Sequence, residues 1–138
     1  MNQEIIYSLK PQFIDLIIKK EKDHEFRNIK PKILPKRLWF YITSPDCKLM
    51  YLAEVGDIVE QPNKILTDGF GNKEFNSDPK FSKFAYPIKS LSKIKRPLDL
   101  ATLRKNFGFT APQSFTYISS FPQLYTEVLE NIGLERIF

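Results

Sequence analysis

The stretch Glu21-Lys22-Asp23-His24-Glu25-Phe26-Arg27 decides how this chain is read. It brings Lys22, Glu25 and Arg27 together with the only histidine of the sequence, His24. Just upstream, Pro11 opens a segment in which Phe13, Ile14, Leu16, Ile17 and Ile18 follow helical spacing around Gln12 and Asp15. Proline is tolerated in the first turn of a helix. From Asp23 to Asn28 the pattern changes to alternation, which predicts a strand. The charged cluster therefore falls at a helix-to-strand junction. Charges with no helical face to occupy are expected to line a cleft.

Reading outward, Ile5 to Leu9 predicts a short strand ended by Pro11. Lys19 and Lys20 suit the carbonyl end of the helix, whereas Lys22 falls beyond its last turn. Ile29 to Lys36, with Pro31 and Pro35, reads as a loop, because each proline disfavours helix in its predecessor. Arg37 to Thr43 is the most strand-like run. Alternation there puts Trp39 and Tyr41 on one face and Leu38, Phe40 and Ile42 on the other. Cys47 to Glu60 predicts a long strand, bent or bulged at Gly56.

Gln61 to Ser82 has no fixed apolar period, and Asp68-Gly69-Phe70-Gly71-Asn72 is turn chemistry. Its Gly-x-Gly lacks a preceding strand and a following helix, so it is no dinucleotide fingerprint. Phe84 to Ile94 predicts another strand. Asp99 fits the N-cap of a helix from Leu100 to Phe107, with Gly108 as its stop. Phe115 to Ile118 predicts a last strand. Phe121 to Ile132 predicts a closing helix with Leu124, Val128 and Leu129 inward. Strands interrupted by helices without regular βαβ alternation give an α+β class, a small mixed β-barrel with flanking short helices.

The 138 residues are expected to form a single domain, 1–138, large enough to bury a core. A hydrophobic share of 42% with 12 phenylalanines fits a globular chain rather than a disordered one. No run approaches the roughly 18 apolar residues a membrane helix needs. Met1-Asn2-Gln3-Glu4 shows no signal-peptide pattern, so the expected compartment is the cytoplasm. One cysteine, Cys47, excludes an internal disulfide, and one His and one Cys fall short of a zinc site. No metal and no cofactor are expected.

Formal net charge is +5. Lys19, Lys20, Lys22, Arg27, Lys30, Lys32, Lys36 and Arg37 form one basic group, and Lys89, Lys93, Lys95 and Arg96 a second. If the fold brings them together they make one positive rim suited to phosphates; otherwise they are two solvated faces.

The cluster resembles the signature of the ASCH domain, a branch of the PUA-like β-barrels associated with nucleic acids and modified nucleosides. That signature is a small helix, a tight turn, a lysine and a strand reading Glu-x-Arg, matched here by Lys22, Glu25 and Arg27. Ser8-Leu9-Lys10-Pro11 with Phe13 to Ile17 is similar to the family's opening segment. Phe40-Tyr41-Ile42-Thr43-Ser44-Pro45 resembles its Tyr-Ala-Thr/Ser-x-Pro strand end. Arg96 to Leu100 and Ala111-Pro112-Gln113-Ser114-Phe115-Thr116-Tyr117 resemble its C-terminal pair of motifs. The resemblance runs from Ser8 to about Tyr117 and implies the PUA-like barrel. It also implies a cleft that binds RNA or a nucleotide-like ligand, with a possible place in transcription or translation.

One bacterial branch of the family resembles amidohydrolases acting on acetylated cytidine. They use the motif lysine with a threonine nucleophile three residues later, and here that position holds Glu25. A carboxylate cannot replace a lysine-activated hydroxyl, so this activity does not carry over. Catalytic residues are not assigned. The expected binding set is Lys22, Glu25, Arg27, Tyr41, Ser44, Gln113, Ser114 and Tyr117. Arg27 and Lys22 can hold phosphate or a base edge, and Glu25 can accept from exocyclic amines. Trp39, Tyr41, Phe115 and Tyr117 are stacking candidates or barrel core. Glu25 with Arg27 is either ligand contact or an ion pair bracing the barrel mouth. Two other classes remain open. One is a small hydrolase of a modified nucleoside or RNA using Lys22 and Glu25; the other is a protein-interaction scaffold.

Overall fold

The computed structural model describes residues 4–138; Met1, Asn2 and Gln3, part of the polar start noted above, lie outside them. Strand β1 (Ile5–Leu9) leads into helix α1 (Pro11–Ile18), with Pro11 at its first position. Strand β2 (His24–Arg27) follows the charged junction. The Pro31 and Pro35 loop then enters β3 (Arg37–Ile42). The long strand expected from Cys47 to Glu60 is divided: β4 spans Lys48–Val55, and β5 spans Val59–Glu60 beyond a break at Gly56. There the Gly56 amide donates to the Pro87 carbonyl at 2.8 Å.

A short helix, α2 (Asn72–Ser77), lies where the sequence offered only turn chemistry. It buries Phe75 alone among its apolar residues, so it had no period to display. Strand β6 (Phe84–Asp99) runs further than the alternation predicted. Helix α3 (Leu100–Phe107) has the expected ends: the Asp99 side chain accepts from the Thr102 amide, and Gly108 closes it at φ 66°. After β7 (Phe115–Tyr117) the closing helix begins as α4 (Pro122–Thr126) and widens into a π turn over Glu127–Ile132. Leu124 and Val128 are buried as expected, and Leu129 is half-buried. The last strand, β8 (Leu134–Arg136), is too short to have shown a pattern.

Strand order is β2-β6-β4-β3-β1-β7, with β5 and β8 both added to β6. Among the described residues only β1 and β3 pair in parallel, so the sheet is mixed. Together with its short helices it is an α+β fold, a curled half-barrel. The alternation of β3 sorts the core: Leu38, Phe40 and Ile42 join Tyr7, Tyr51 and Tyr86 on one face. Trp39 and Tyr41 pack on the other face under α3 and α4. Trp39 is 0% exposed, and its indole N–H donates to Glu4 Oε1 at 2.6 Å. Arg37 holds the same carboxylate with two hydrogen bonds. Trp39 is core, not a stacking platform.

Among the described residues no helix is long and apolar enough to cross a membrane, and no group of three metal-ligating side chains converges.

Candidate functional site

Helix α1 delivers Lys22 through its exit. Lys20 takes the left-handed conformation at φ 62°, and the amides of Glu21 and Lys22 both return to the Leu16 carbonyl, at 2.9 and 3.1 Å. Such closure satisfies carbonyls that a helix end leaves free. Lys19 and Lys20 remain in solvent, whereas Lys22 turns inward and is 3% exposed. On β2, strand alternation puts Glu25 and Arg27 on one face, and Phe26 between them lines the same pocket as both.

These three charged residues meet. Lys22 Nζ lies 3.3 Å from Glu25 Oε1, and Arg27 Nη2 donates to Glu25 Oε2 at 2.5 Å. Glu25 is 4% exposed, and a charge so buried is tolerated only when paired. Arg27 Nη2 also donates to the Ser8 carbonyl at 3.1 Å, linking β2 to β1 although these strands do not pair. Its guanidinium stacks on the Tyr7 ring, 4.1 Å from the centroid. Glu25 and Arg27 form the ion pair that was one of the two alternatives, and both also line a pocket.

Beside this cluster opens a pocket of about 350 Å³. Its walls are Phe13, Phe26, Phe70 and Phe81, with Lys10 among the other lining residues. That volume lies near the lower end of ligand sites, roughly 300–1,000 Å³. The Lys22 ammonium sits 4.3 Å from the Phe26 centroid, 5.5 Å from Phe13 and 5.8 Å from Phe70. Phe70 is carried by the glycine-rich turn, pinned where its amide donates to the Glu21 carbonyl at 2.7 Å. Asn72 Nδ2 donates to Asp23 Oδ1 at 2.8 Å, and His24 Nδ1 lies 2.7 Å from the same oxygen. Burial alone would raise the Asp23 pKa; hydrogen bonds from Asn72, His24 and Thr67 outweigh it and hold the carboxyl below its usual value. Gly71 has φ 83°, and a side chain there would come within 2.5 Å of the Phe26 ring. The four phenylalanines were missed because each fits an ordinary local pattern of helix, strand or turn.

The remaining residues expected at the site do not line the pocket. Tyr41 is 2% exposed on the opposite face of the sheet, tilted against Phe109. Ser44 is exposed in the turn after β3. Gln113 and Ser114 are exposed next to Pro112, whose carbonyl accepts from the pocket residue Ser8 at 2.7 Å. Tyr117 is half-buried, edge-on to Phe115, which in turn meets Tyr7 edge-on. Of the two basic groups, Lys36 from the first and Lys89 from the second line the same two surface pockets, one shared with Asp57 and the other with Glu4 and Glu54.

Burial pushes the Lys22 pKa below the ordinary lysine value, and the nearby Glu25 opposes that shift. Tyr7 and Tyr86 share a hydroxyl–hydroxyl contact of 3.2 Å, and burial raises both, Tyr7 strongly. A tyrosine raised in the folded state keeps its proton while the unfolded chain loses it. Stability is then full below pH 10.0, the unperturbed tyrosine value, and falls as pH rises past it. Lys22 acts in the opposite sense, since its folded value is lowered. Denaturant midpoints measured at increasing pH should therefore decline above that value, and less steeply in Tyr7→Phe. An equal decline in both proteins would remove the assignment to this pair.

No family model matches the sequence, and no curated protein matches it. Solved structures do. The ASCH structure from Zymomonas mobilis superposes with a TM-score of 0.65 at 23% identity, covering 89% of this chain and 94% of its own. A serine-to-alanine mutant of the Zymomonas mobilis ASCH protein gives 0.68 at 24% identity, covering 91% and 96%. A tyrosine-to-phenylalanine mutant gives 0.67 at 22%, covering 91% and 97%. The fold of this chain is the ASCH fold.

Proposed function

We propose that this chain binds single-stranded RNA or a nucleotide by seating a base in the pocket above Lys22, Glu25 and Arg27. The observation that carries this reading is an open, phenylalanine-walled pocket with a buried ionic cluster at its base. Aromatic walls stack on any base, and each stacked base contributes on the order of 1–3 kcal/mol. The cluster has one net positive charge from its two cations and one carboxylate, which suits a ligand carrying phosphate. A scaffold role called for a cleft filled by its own side chains, and this one is open.

Hydrolysis has less support. Both oxygens of Glu25, the only carboxylate in the pocket lining, are engaged by cations. His24 is not among the lining residues and lies against Asp23, its Nδ1 2.7 Å from Oδ1. No deacylation of acetylated cytidine is expected, and chromatography of that nucleoside after incubation with the protein is the check. Turnover lost in Lys22→Ala would reverse the ranking.

Titration of a labelled single-stranded RNA by fluorescence anisotropy tests the binding reading. Affinity should fall with added salt, as counterion release requires. Phe70 is 47% exposed, so Phe70→Ala should leave stability nearly unchanged. It should nevertheless weaken binding by about 1–3 kcal/mol, the contribution of one stacked base. Salt-insensitive binding, or a Phe70→Ala protein that binds as tightly as the parent, would count against the pocket.

A further inference from the structure

The base of the pocket presents an ordered pattern of hydrogen-bonding groups. Glu25 lies between its two cations, Lys22 on Oε1 and Arg27 on Oε2. A carboxylate has about four lone-pair sites. One on each oxygen is occupied by these partners, which leaves acceptor capacity at the centre. Lys22 carries three N–H donors, and its one ion pair among the described residues is with Glu25. On Arg27 the two protein hydrogen bonds both use Nη2. Nε is buried without a partner, and Nη1 makes no hydrogen bond among the described residues. Across Lys22, Glu25 and Arg27 the sequence of groups is donor, acceptor, donor.

We infer that the pocket selects bases with an imide edge, carbonyl–NH–carbonyl, the edge that uracil presents. This rests on the nucleotide-binding reading and names the ligand class within it. Uracil offers acceptor, donor, acceptor from O2, N3–H and O4, the complement of the three protein groups. Cytosine offers acceptor, acceptor, donor, which sets its ring nitrogen lone pair against the carboxylate and its amino group against a cation. Guanine turns an amino group toward a cation, and so does adenine. The phenylalanine walls stack on every base, so discrimination falls to these three groups. Lys22 and Glu25 are buried and Arg27 is half-buried, and a mismatched polar group in such a place loses more than a matched one gains.

The test compares oligouridylate, oligocytidylate and an oligouridylate methylated at N3, all of one length, against the unmodified full chain. Uridylate should bind about tenfold or more tighter than cytidylate, the scale of one well-matched base edge. Methylation at N3 removes the central donor and should bring the uridylate down to the level of the cytidylate or below. Cytidylate binding as tightly as uridylate, or N3-methylation without effect, overturns the imide assignment and leaves nucleotide binding standing. Failure of all three to bind overturns the nucleotide reading, and the assignment with it.

Discussion

Phe40→Ala should destabilise the fold by about 3–5 kcal/mol, the range for deleting a buried aromatic ring. Phe40 is 0% exposed in the middle of β3, opposite Tyr7 of β1 in one direction and Tyr51 of β4 in the other. The register of β3 on β4 shifts between Phe40 and Tyr41, so the backbone here is already committed to a bulge. Strands on both sides limit how far the walls can collapse into the space left behind, and the cavity cost should be near its full value. Denaturant titration should show a lower midpoint with an unchanged slope, the signature of lost stability rather than a changed denatured state. A loss near 1 kcal/mol would mean that the sheet closes over the gap, and that β3 is not the rigid centre its burial indicates.

How much of this was legible depends on where the physical signal lies. β3 was legible because burial on both faces demands apolar residues at every position, and Leu38 to Ile42 supply them. Asp99 and Gly108 were legible because cap and stop are local chemistry, written within one turn of the helix they bound. Helix α2 and strand β8 were not. Their existence depends on Phe75 docking beside Ala85, and on β6 being long enough to accept a further partner. The site divided in the same way. Lys22, Glu25 and Arg27 are neighbours in sequence, and the helix exit folds them together. The phenylalanine walls come from α1, β2 and two segments some fifty residues away, so no spacing rule links them. Tyr41 shows the limit of an argument from its hydroxyl: the residue was expected in a cleft, but alternation had already placed it beside Trp39, on the face that α3 and α4 cover.

Glu25→Ala should cost as much as the core substitution, again about 3–5 kcal/mol, because it strands the buried Lys22 and the half-buried Arg27 without their counter-ion. Lys22 is 3% exposed and Arg27 only partly open, so neither ion recovers its hydration by a rotamer change alone. Combining Glu25→Ala with Lys22→Met should then cost less than the two single changes added together, since the methionine fills the lysine's place without its charge. Coupling within such a cluster is on the order of 0.5–3 kcal/mol. Exact additivity of the two substitutions would mean that the pair is solvated and contributes little. A large loss does not by itself make the cluster a mere brace, because Arg27 links β2 to β1 while all three residues line the pocket. Glu25→Gln separates the roles. The amide keeps the volume but replaces one acceptor by a donor, so the matched partner for the imide N–H is weakened whatever the fold retains. At a temperature where Glu25→Gln is still folded by circular dichroism, its preference for uridylate over cytidylate should shrink toward parity. A folded Glu25→Gln protein with the parent's preference intact would assign the carboxylate to structure alone.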